Sequence, residues 1–402
     1  MSYRNLVGAI YVFVALVFLA GCITSLAQET VYGLYAPWPS WKLSPPTPTP
    51  TPTPPPGTAD LVVDDSGGED FTTIGAAYSA ASCGDLIHVR EGTYTLTATL
   101  NLNKTCTEGN EIVIQNYPEE SPEVTCSSPA TGFKRVENNG AFNVWDGIDV
   151  YGCFDGIKVY KGDFTVKNSS IYHNLYQGII IAVTSAELSN ITIEGNEIYR
   201  NGYALADNDV TCNDAGWGGD SPKHCHGIYI SDFGCNGTDN IDILDNHIHD
   251  HGGRAIQWNG EGCSSKMKNT LVQGNTLENN SRNIILWHNV EDAVINDNDF
   301  IASSFPETDD TSHGHFSIIN SPGNTITNNR FYSDLTTYEQ LQMLDSGSDV
   351  GMTVDGNIWG YRNTSWKWDN SWRSDFDTDY LSVSGWDSGG CTSLYTSYPC
   401  TP

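Results

Sequence analysis

A short motif that recurs five times along the middle of the chain constrains its fold more than any other feature of the sequence. In each copy, apolar residues two positions apart lead into a pair of turn residues that ends in Asn, and another apolar residue follows. The copies are ITIEGNEI from Ile191, IDILDNHI from Ile241, LVQGNTL from Leu271, VINDNDF from Val294 and ITNNRF from Ile326. Aligning them places five asparagines in one column: Asn196, Asn246, Asn275, Asn298 and Asn329.

A second short apolar segment alternates with most copies of the motif. These segments are GIIIAV from Gly178, GIYISD from Gly227, AIQWNG from Ala255 and NIILWH from Asn283. Alternating strands joined by Asn and Gly turns, which recur about every two dozen residues with no helical pattern between them, predict a parallel β-solenoid. An antiparallel sandwich also has short strands and such turns, but it would not align the same turn in five consecutive units.

The asparagine column has a structural explanation. Successive coils of a solenoid stack about 4.8 Å apart, so identical amides at one turn can hydrogen-bond along the axis as a ladder. A turn residue at this place must also tolerate left-handed backbone geometry, which Asn does. We therefore expect the column to stabilise the turns and assign it no catalytic role.

The start of the repetitive region carries a family resemblance. Residues 64–94, DDSGGEDFTTIGAAYSAASCGDLIHVREGTY, are similar to the usual entry of the right-handed parallel β-helix proteins of the pectate-lyase-like superfamily. The resemblance extends from about Leu61 to Trp386. It implies an all-β, single-stranded right-handed parallel β-helix. A short capping helix is expected at about Thr72–Ala81, and the strand Leu86–Arg90 begins the first coil.

The resemblance and the composition divide the chain into four parts. Residues 59–356 are predicted to form the β-helix, and residues 357–402, rich in Trp, an irregular C-terminal cap. Residues 1–21 have the short apolar run of a signal peptide and end in LAG before Cys22, which resembles the lipobox of bacterial lipoproteins. Residues 22–58 then form a lipid-anchored spacer whose Pro/Thr tract favours extended polyproline II.

Charge and cysteine content indicate an exported protein that does not bind nucleic acid. The 19 Lys and Arg against 49 Asp and Glu give a net charge of −30, which repels phosphate backbones. Without Cys22, ten of the 11 cysteines remain, an even number that suggests disulfides in an extracytoplasmic compartment. Proximity suggests Cys391 with Cys400 and Cys212 with Cys225. We expect a monomer that contacts the membrane only through its N-terminal lipid anchor, at the cell surface or the periplasmic face.

Superimposing the second strands predicts a candidate site on one wall. His226, Arg254 and Arg282 fall in one column, while the intervening Ile and Trp residues, including Trp258, should point into the core. Polar and aromatic residues that could contact a sugar fill the neighbouring columns and the large insertion at residues 203–225. These substrate-binding candidates are Tyr229, Gln257, Asn259, Trp287, Trp217 and His224.

The family resemblance implies chemistry on polysaccharides. Lyases of the superfamily abstract a proton α to a uronate carboxylate, which needs a base, a cation to stabilise the developing charge and often Ca²⁺. His226, or a Lys or Arg, is a candidate base, and Arg254 and Arg282 are candidates for the carboxylate clamp. Asp214 and Asp220 in the insertion are the candidate Ca²⁺ ligands.

Three functions are compatible with these features. A lyase or epimerase-like eliminase acting on a uronate-containing glycan is the main prediction. A glycoside hydrolase is the second enzymatic choice, with carboxylates drawn from Asp220, Asp232, Asp250 and Glu261. A cell-surface adhesin or carbohydrate-binding scaffold is the non-catalytic alternative. The turn with His247, His249, Asp250 and His251 could bind a metal, although we favour a hydrogen-bonded surface turn there.

Overall fold

The computed structural model describes most of the chain after residue 59. The described residues are 60–129, 131–203, 225–302, 314–333, 339–343, 351–361, 366–368, 371–373 and 391–393. They fall within one compact unit, Thr58–Pro402. Within these ranges, no helix has the length and apolar character needed to cross a membrane. The predicted signal peptide, the spacer and Cys22 lie outside the described residues.

The described chain contains one helix, α1, and strands numbered β1 to β34 in chain order, which build three sheets. Sheet 1 contains β1 (Asp60–Val63), β2 (Leu86–Val89), β5 (Ile112–Asn116), β8 (Asn143–Asp146), β11 (Phe164–Lys167), β14 (Leu188–Glu194), β17 (Thr238–Leu244), β20 (Met267–Gln273), β23 (Val290–Glu291), β24 (Val294–Asn296), β27 (Thr325–Thr327) and β30 (Thr353–Asp355).

Sheets 2 and 3 follow sheet 1 in each coil. Sheet 2 contains β3 (Thr93–Leu96), β6 (Glu123–Cys126), β9 (Asp149–Tyr151), β12 (Ser170–Tyr172), β15 (Glu197–Tyr199), β18 (His247–His249), β21 (Thr276–Glu278), β25 (Asp299–Ala302), β28 (Arg330–Ser333), β31 (Ile358–Tyr361) and β34 (Cys391–Ser393). Sheet 3 contains β4 (Leu100–Leu102), β7 (Val136–Asn138), β10 (Ile157–Val159), β13 (Ile179–Val183), β16 (Ile228–Asp232), β19 (Arg254–Asn259), β22 (Arg282–Trp287), β26 (Gly314–Ile319), β29 (Glu339–Met343), β32 (Trp366–Trp368) and β33 (Ser371–Arg373).

Neighbouring strands within each sheet come from successive coils and run parallel. This topology confirms the predicted right-handed parallel β-helix. Each Asn motif spans two walls, because its first part is a strand of sheet 1 and its last residues are a strand of sheet 2. The hairpin of β32 and β33 is antiparallel. The predicted boundary at residue 356 falls between β30 and β31, and β31 and β34 continue sheet 2 beyond it.

In-register stacking builds the core from rows of like residues. In sheet 3, one inward row holds five apolar residues that lie above one another and are buried: Ile179, Ile228, Ile256, Ile284 and Phe316. Trp258 is also fully buried, as predicted. Burying such rows removes apolar surface from water, which stabilises the fold by about 25 cal/mol per Å². Within a row, each side chain covers the one in the coil below it.

The N-terminal helix closes the first coil. α1 spans Ile74–Ala80, close to the predicted Thr72–Ala81. Its N-cap is Thr73, whose hydroxyl accepts a hydrogen bond from the Ala76 N–H at 3.2 Å. Ile74, Ala77 and Tyr78 of this helix are buried and belong to the hydrophobic core. The helix therefore covers apolar groups that an open end would expose.

The asparagine ladder is present and has a sixth member, Asn357. From Asn246 onwards, each Asn Oδ1 accepts two hydrogen bonds from the Asn of the preceding coil, one from its backbone N–H and one from its Nδ2, at 2.9–3.0 Å. The left-handed residue is not the ladder Asn, however. It is the residue before it, such as Asp245 (φ 53°) before Asn246 or Gly274 (φ 70°) before Asn275. The ladder Asn instead supplies the amide, because its acceptor and donors align with the coil spacing.

A second buried polar ladder lies at the turn between sheets 2 and 3. Asn174 Nδ2 donates to Asn201 Oδ1 at 2.9 Å, Asn201 Nδ2 lies 3.2 Å from His251 Nε2, and His251 Nδ1 lies 3.0 Å from Asn280 Oδ1. His251 is fully buried, so the expectation of a surface turn was wrong for this residue. Burial lowers the pKa of His251 to about 3, which keeps the ring neutral inside the ladder.

Three disulfides connect one coil to the next. They join Cys83 to Cys106, Cys126 to Cys153 and Cys235 to Cys263, with Cα–Cα distances of 5.4, 4.8 and 5.0 Å. These distances match the coil spacing. Cys225 is also disulfide-bonded. The pairings predicted for Cys212 with Cys225 and for Cys391 with Cys400 involve undescribed residues.

Candidate active site

Strand register places the predicted column on the outer side of sheet 3. Arg254 pairs with Arg282 across β19 and β22, and the backbone N–H of Arg254 donates to His226 Nδ1 at 3.3 Å. The next residue, Ala255, and Ile256 after it are both fully buried in the core. Ala255 and Ile256 both point inward, which interrupts the usual alternation of inward and outward residues along a strand. Arg254, which precedes them, therefore points outward together with the rest of its column. Three residues far apart in sequence are thereby brought together.

The three side chains of the column differ in accessibility. His226 is 3% exposed and Arg282 is 2% exposed, whereas Arg254 is partly exposed. Arg282 donates from its guanidinium to Ser317 Oγ on β26. Among the described cations of the column, Arg254 is therefore the one that a bound anion reaches most readily, and Arg282 lies beside it as a buried positive charge.

The neighbouring columns also have the predicted register. Tyr229 pairs with Gln257, which pairs with Ile285. Asn259 pairs with Trp287, and Asn259 Nδ2 donates to the Tyr229 hydroxyl at 2.9 Å. The rings of His226 and Tyr229 have centroids 5.0 Å apart. Two side chains that can exchange protons therefore lie side by side, next to Arg254.

Two further residues of the same column were not predicted from the sequence. Continuing the register towards the N-terminus places Gln177 and Asp155 below His226, and Gln177 Oε1 accepts from the His226 N–H at 2.7 Å. Asp155 is 2% exposed and pairs with Arg135 at 3.1 Å. Burial raises the pKa of Asp155, although Arg135 and Lys158 oppose the shift. Asp155 could have been predicted from the sequence, because it lies two residues before Ile157 just as His226 lies two residues before Ile228.

Aromatic rings accompany the column along sheet 3. The Phe133 and Phe154 ring centroids are 4.7 Å apart, and Tyr176 lies 6.0 Å beyond Phe154. Phe233 lies 6.4 Å from Tyr229. Phe133 and Phe233 are 43% and 62% exposed. Exposed rings of this kind can stack on the apolar faces of sugars.

Several predicted site residues take no part in the geometry above. Trp217, His224, Asp214 and Asp220 lie outside the described residues. Two of the carboxylates considered for a hydrolase, Asp232 and Asp250, have other partners. Asp232 is bonded to the backbone N–H groups of Asn236 and Gly237 and closes a turn. Asp250 follows β18 of sheet 2 and lies 3.1 Å from His249 Nδ1, so Asp232 and Asp250 lie on different walls of the β-helix.

The outer face of sheet 2 carries a second group of ionisable residues. Tyr151, Tyr172, Tyr199 and His249 stack in one column, with ring centroids 4.9–5.2 Å apart. Desolvation raises the pKa of Tyr199. Burial opposes protonation of His249, but the carboxylates of Asp250 and Glu197 outweigh it and raise the pKa of His249 to about 9. The turn residues that the sequence analysis singled out are thus divided between this surface and the buried ladder.

Comparisons with known proteins agree with the fold. The family model for the Pel9A-like, right handed beta helix region matches residues 62–242, whereas no curated protein matches the chain. An alginate lyase from Paenibacillus sp. str. FPU-7 superimposes with a TM-score of 0.56 at 16% identity, covering 78% of this chain and 98% of that chain. Pectate lyase Pel9A superimposes with a TM-score of 0.47 at 15% identity, over 81% of this chain and 86% of that chain.

A polygalacturonase from Erwinia carotovora ssp. carotovora superimposes with a TM-score of 0.49 at 10% identity, over 81% of this chain and 98% of that chain. The alginate lyase superposition shows a shared architecture, and its 16% identity leaves the activity open. Together with the three parallel sheets, the family model and the alginate lyase superposition identify the chain as a right-handed parallel β-helix protein, similar over residues 62–242 to the Pel9A-like β-helix region.

Proposed function

We propose that the protein is an extracytoplasmic, polysaccharide-active enzyme, a lyase or epimerase-like eliminase that acts on a uronate-containing glycan at the outer face of sheet 3. The observation that carries the proposal is the vertical register of His226, Arg254 and Arg282 beside Tyr229. A chain with a net charge of −30 repels polyuronates, so a site for them needs concentrated positive charge, which the two arginines supply. The alginate lyase with the same fold supports a uronate polymer as the substrate class.

The reaction requires removal of the proton α to the uronate carboxylate. The electron pair of the broken C–H bond moves towards the carboxylate, whose charge grows in the transition state. A lyase then forms a C=C bond as the glycosidic C–O bond breaks, and an epimerase returns a proton to the opposite face. Arg254 would bind the carboxylate and stabilise the added charge, because a guanidinium pairs well with a carboxylate. Arg282 would strengthen the positive potential from its buried place beside Arg254.

The hydrogen bond between Arg254 and His226 guides the assignment of proton transfers. Because Nδ1 of His226 accepts the backbone N–H, a neutral ring carries its proton on Nε2. This tautomer would let His226 pass its Nε2 proton to the leaving oxygen while Nε2 regains a proton from the hydroxyl of the neighbouring Tyr229. Tyr229, whose Oη accepts a hydrogen bond from Asn259, would accept the substrate proton as the phenolate and would return to the phenolate when it passes that proton to His226. This assignment replaces the expectation of His226 as the base, and it is part of the proposal.

A non-catalytic carbohydrate-binding scaffold is the second candidate function. The exposed rings of Phe133 and Phe233 favour it, because they lie in the chain next to strands of sheet 3 and offer stacking surfaces that need no chemistry. Such a protein would retain a glycan without changing it.

One experiment separates the two functions. The purified protein is incubated with a panel of uronate polymers and Ca²⁺, and the ultraviolet absorbance of unsaturated products is followed, with NMR of the recovered polymer to detect epimerisation. We expect product from the wild type and none from Arg254→Ala or Tyr229→Phe. Arg330→Ala on sheet 2 is the matched control and should retain activity. Retention on a glycan column with no product and no epimerisation would support the scaffold instead.

The proposal also includes export of the protein, its lipid anchor and a Ca²⁺ site. The three disulfides favour an oxidising, extracytoplasmic compartment. Lipidation of Cys22 is tested by labelling cells with a fatty acid, with Cys22→Ala as the control. Asp214 and Asp220 are the proposed Ca²⁺ ligands, and no reaction step above depends on the ion. Removing Ca²⁺ with a chelator should lower the activity, and adding Ca²⁺ back should restore it.

A further inference from the structure

We propose that the outer face of sheet 2 holds a binding site for a first-row divalent metal ion such as Zn²⁺, formed by Glu197, His247 and His249. One ligand atom from each residue lies within 4.8 Å of the others. Glu197 belongs to β15 and pairs in register with His247 of β18, and His249 follows two residues later on the same outer face. The site is on a different wall from the sheet 3 column and does not depend on the function proposed for that column.

The separation of the ligand atoms fits a small tetrahedral ion. His249 Nε2 lies 3.3 Å from Glu197 Oε1. Ligands bound to Zn²⁺ at about 2.0–2.1 Å in a tetrahedron stand roughly 3.3–3.4 Å from one another. The two atoms can therefore bind one ion with little movement. Imidazole nitrogens with one carboxylate are ligands suited to Zn²⁺ and its neighbours in the first transition row, whereas Ca²⁺ prefers oxygen ligands.

Neighbouring side chains hold both imidazoles in place. Asp250 Oδ2 lies 3.1 Å from His249 Nδ1, and Glu278 Oε2 lies 3.3 Å from His247 Nε2. The Tyr199 ring stacks on His249 with a centroid distance of 5.0 Å and an interplanar angle of 4°. Carboxylates that bind the second nitrogen of a ligating imidazole fix its orientation and raise its basicity. Asp250 and Glu278 occupy these positions next to His249 and His247.

Three protein ligands leave a fourth position of a tetrahedral ion for water or an anion. Since Glu197 and His247 belong to successive coils, the ion would also connect the coil before residues 204–224 to the coil after them. His251 contributes nothing to this site, because its ring is inside the buried ladder.

Calorimetric titration with Zn²⁺ tests the proposal on untagged, full-length mature protein that has been treated with a chelator and dialysed. We expect one equivalent to bind with micromolar affinity, and excess Ca²⁺ not to displace it. His247→Ala and His249→Ala should each weaken binding at least about tenfold, while His288→Ala on another loop should leave it unchanged. Circular dichroism of each variant confirms that the fold is retained.

Cobalt substitution gives a second, spectroscopic measurement. Visible absorption bands of tetrahedral Co²⁺ should appear at one equivalent in the wild type and be lost in the His247→Ala, His249→Ala double variant. The absence of saturable Zn²⁺ binding in the wild type would overturn the proposal. Unchanged binding in the double variant would overturn it equally, because the ion would then be held elsewhere.

Discussion

The backbone N–H of Arg254 donates to Nδ1 of His226 at 3.3 Å, although 28 positions of sequence separate the two residues. One coil of the β-helix accounts for this closeness. Because the strands stack in register, a residue that recurs one coil later lies directly above its predecessor. The same relationship places Arg282 above Arg254 and gives the wall of sheet 3 its concentration of positive charge.

A substitution at His226 can remove its proton donation while it keeps a hydrogen-bond acceptor for the Arg254 N–H. In His226→Asn, the amide oxygen can take the place of Nδ1 as the acceptor for Arg254, but the side chain has no group that donates a proton as an acid. We expect turnover to fall about 100-fold or more with little change in thermal stability. The measurement is kcat on the polymer that the wild type degrades, and unchanged turnover would exclude His226 from proton transfer.

The asparagine ladder should dominate the stability of the turns it joins. Asn275→Ala removes the oxygen that accepts both the Asn246 N–H and its Nδ2 group. Two buried donors would lose their partner, at a cost of about 2–5 kcal/mol. Asn101→Ala, at an exposed position of β4, should change the free energy of unfolding by less than about 1 kcal/mol. Denaturant unfolding followed by circular dichroism compares them, and equal effects would contradict the ladder's role.

Gly227 lies where the chain turns between sheets 2 and 3 and has no room for a side chain. A Cβ there would stand 2.7 Å from the carbonyl oxygen of Ala255 and 2.7 Å from Ile248 Cγ2. We expect Gly227→Ala to lower the free energy of unfolding by at least about 2 kcal/mol. Gly75→Ala in α1 is the matched control, because its Cβ would meet only Leu100 Cδ1 at 3.5 Å. This control should be neutral or stabilising by up to about 1 kcal/mol.

The buried ladder makes stability depend on pH through His251. Burial lowers the pKa of His251 to about 3, from 6.5 in an unfolded chain. Between these values only the unfolded chain binds the proton, so the contribution of a neutral His251 is complete above pH 6.5 and is lost as the pH falls towards 3. At about pH 5 the loss amounts to about 2 kcal/mol.

The variant His251→Asn tests this contribution, since Asn occupies neighbouring positions of the ladder and does not titrate. We expect the difference in melting temperature between about pH 7 and about pH 5 to be smaller than in the wild type. It should not vanish, because burial also lowers the pKa of His315 to about 3. His288→Asn serves as the control. An unchanged pH dependence in His251→Asn would show that His251 is not the responsible group.

Sequence alignment predicted vertical neighbours correctly because in-register stacking converts a repeat into a column. The ladder from Asn196 to Asn329 and the pairing of Arg254 with Arg282 follow directly from this geometry. Even so, the alignment did not assign left-handed geometry to the residue before each Asn, because Gly, Asp and Asn alternate there. The identity of that residue varies, and only its φ angle is shared.

The second ladder and the pairings of the three observed disulfides were not predicted, for related reasons. His251 interrupts a row of asparagines, so the row does not look uniform, although Asn201, His251 and Asn280 each lie five positions after a ladder Asn. The observed disulfides join cysteines 23, 27 and 28 positions apart. These separations equal one coil, and this would have been a better guide than the shortest distance along the chain. Glu197 and His249 were not combined, although the column of Asn196 and Asn246 already places Glu197 in register with His247, two positions before His249.

A crystal structure of the His226→Asn variant with a bound oligouronate tests the central claim most directly. The proposed site predicts a sugar chain along the outer face of β16, β19 and β22, with a uronate carboxylate on the Arg254 guanidinium and the ring near Tyr229. An oligosaccharide bound to sheet 1 or sheet 2, with Arg254 uncontacted, would contradict the assignment of the active site to sheet 3.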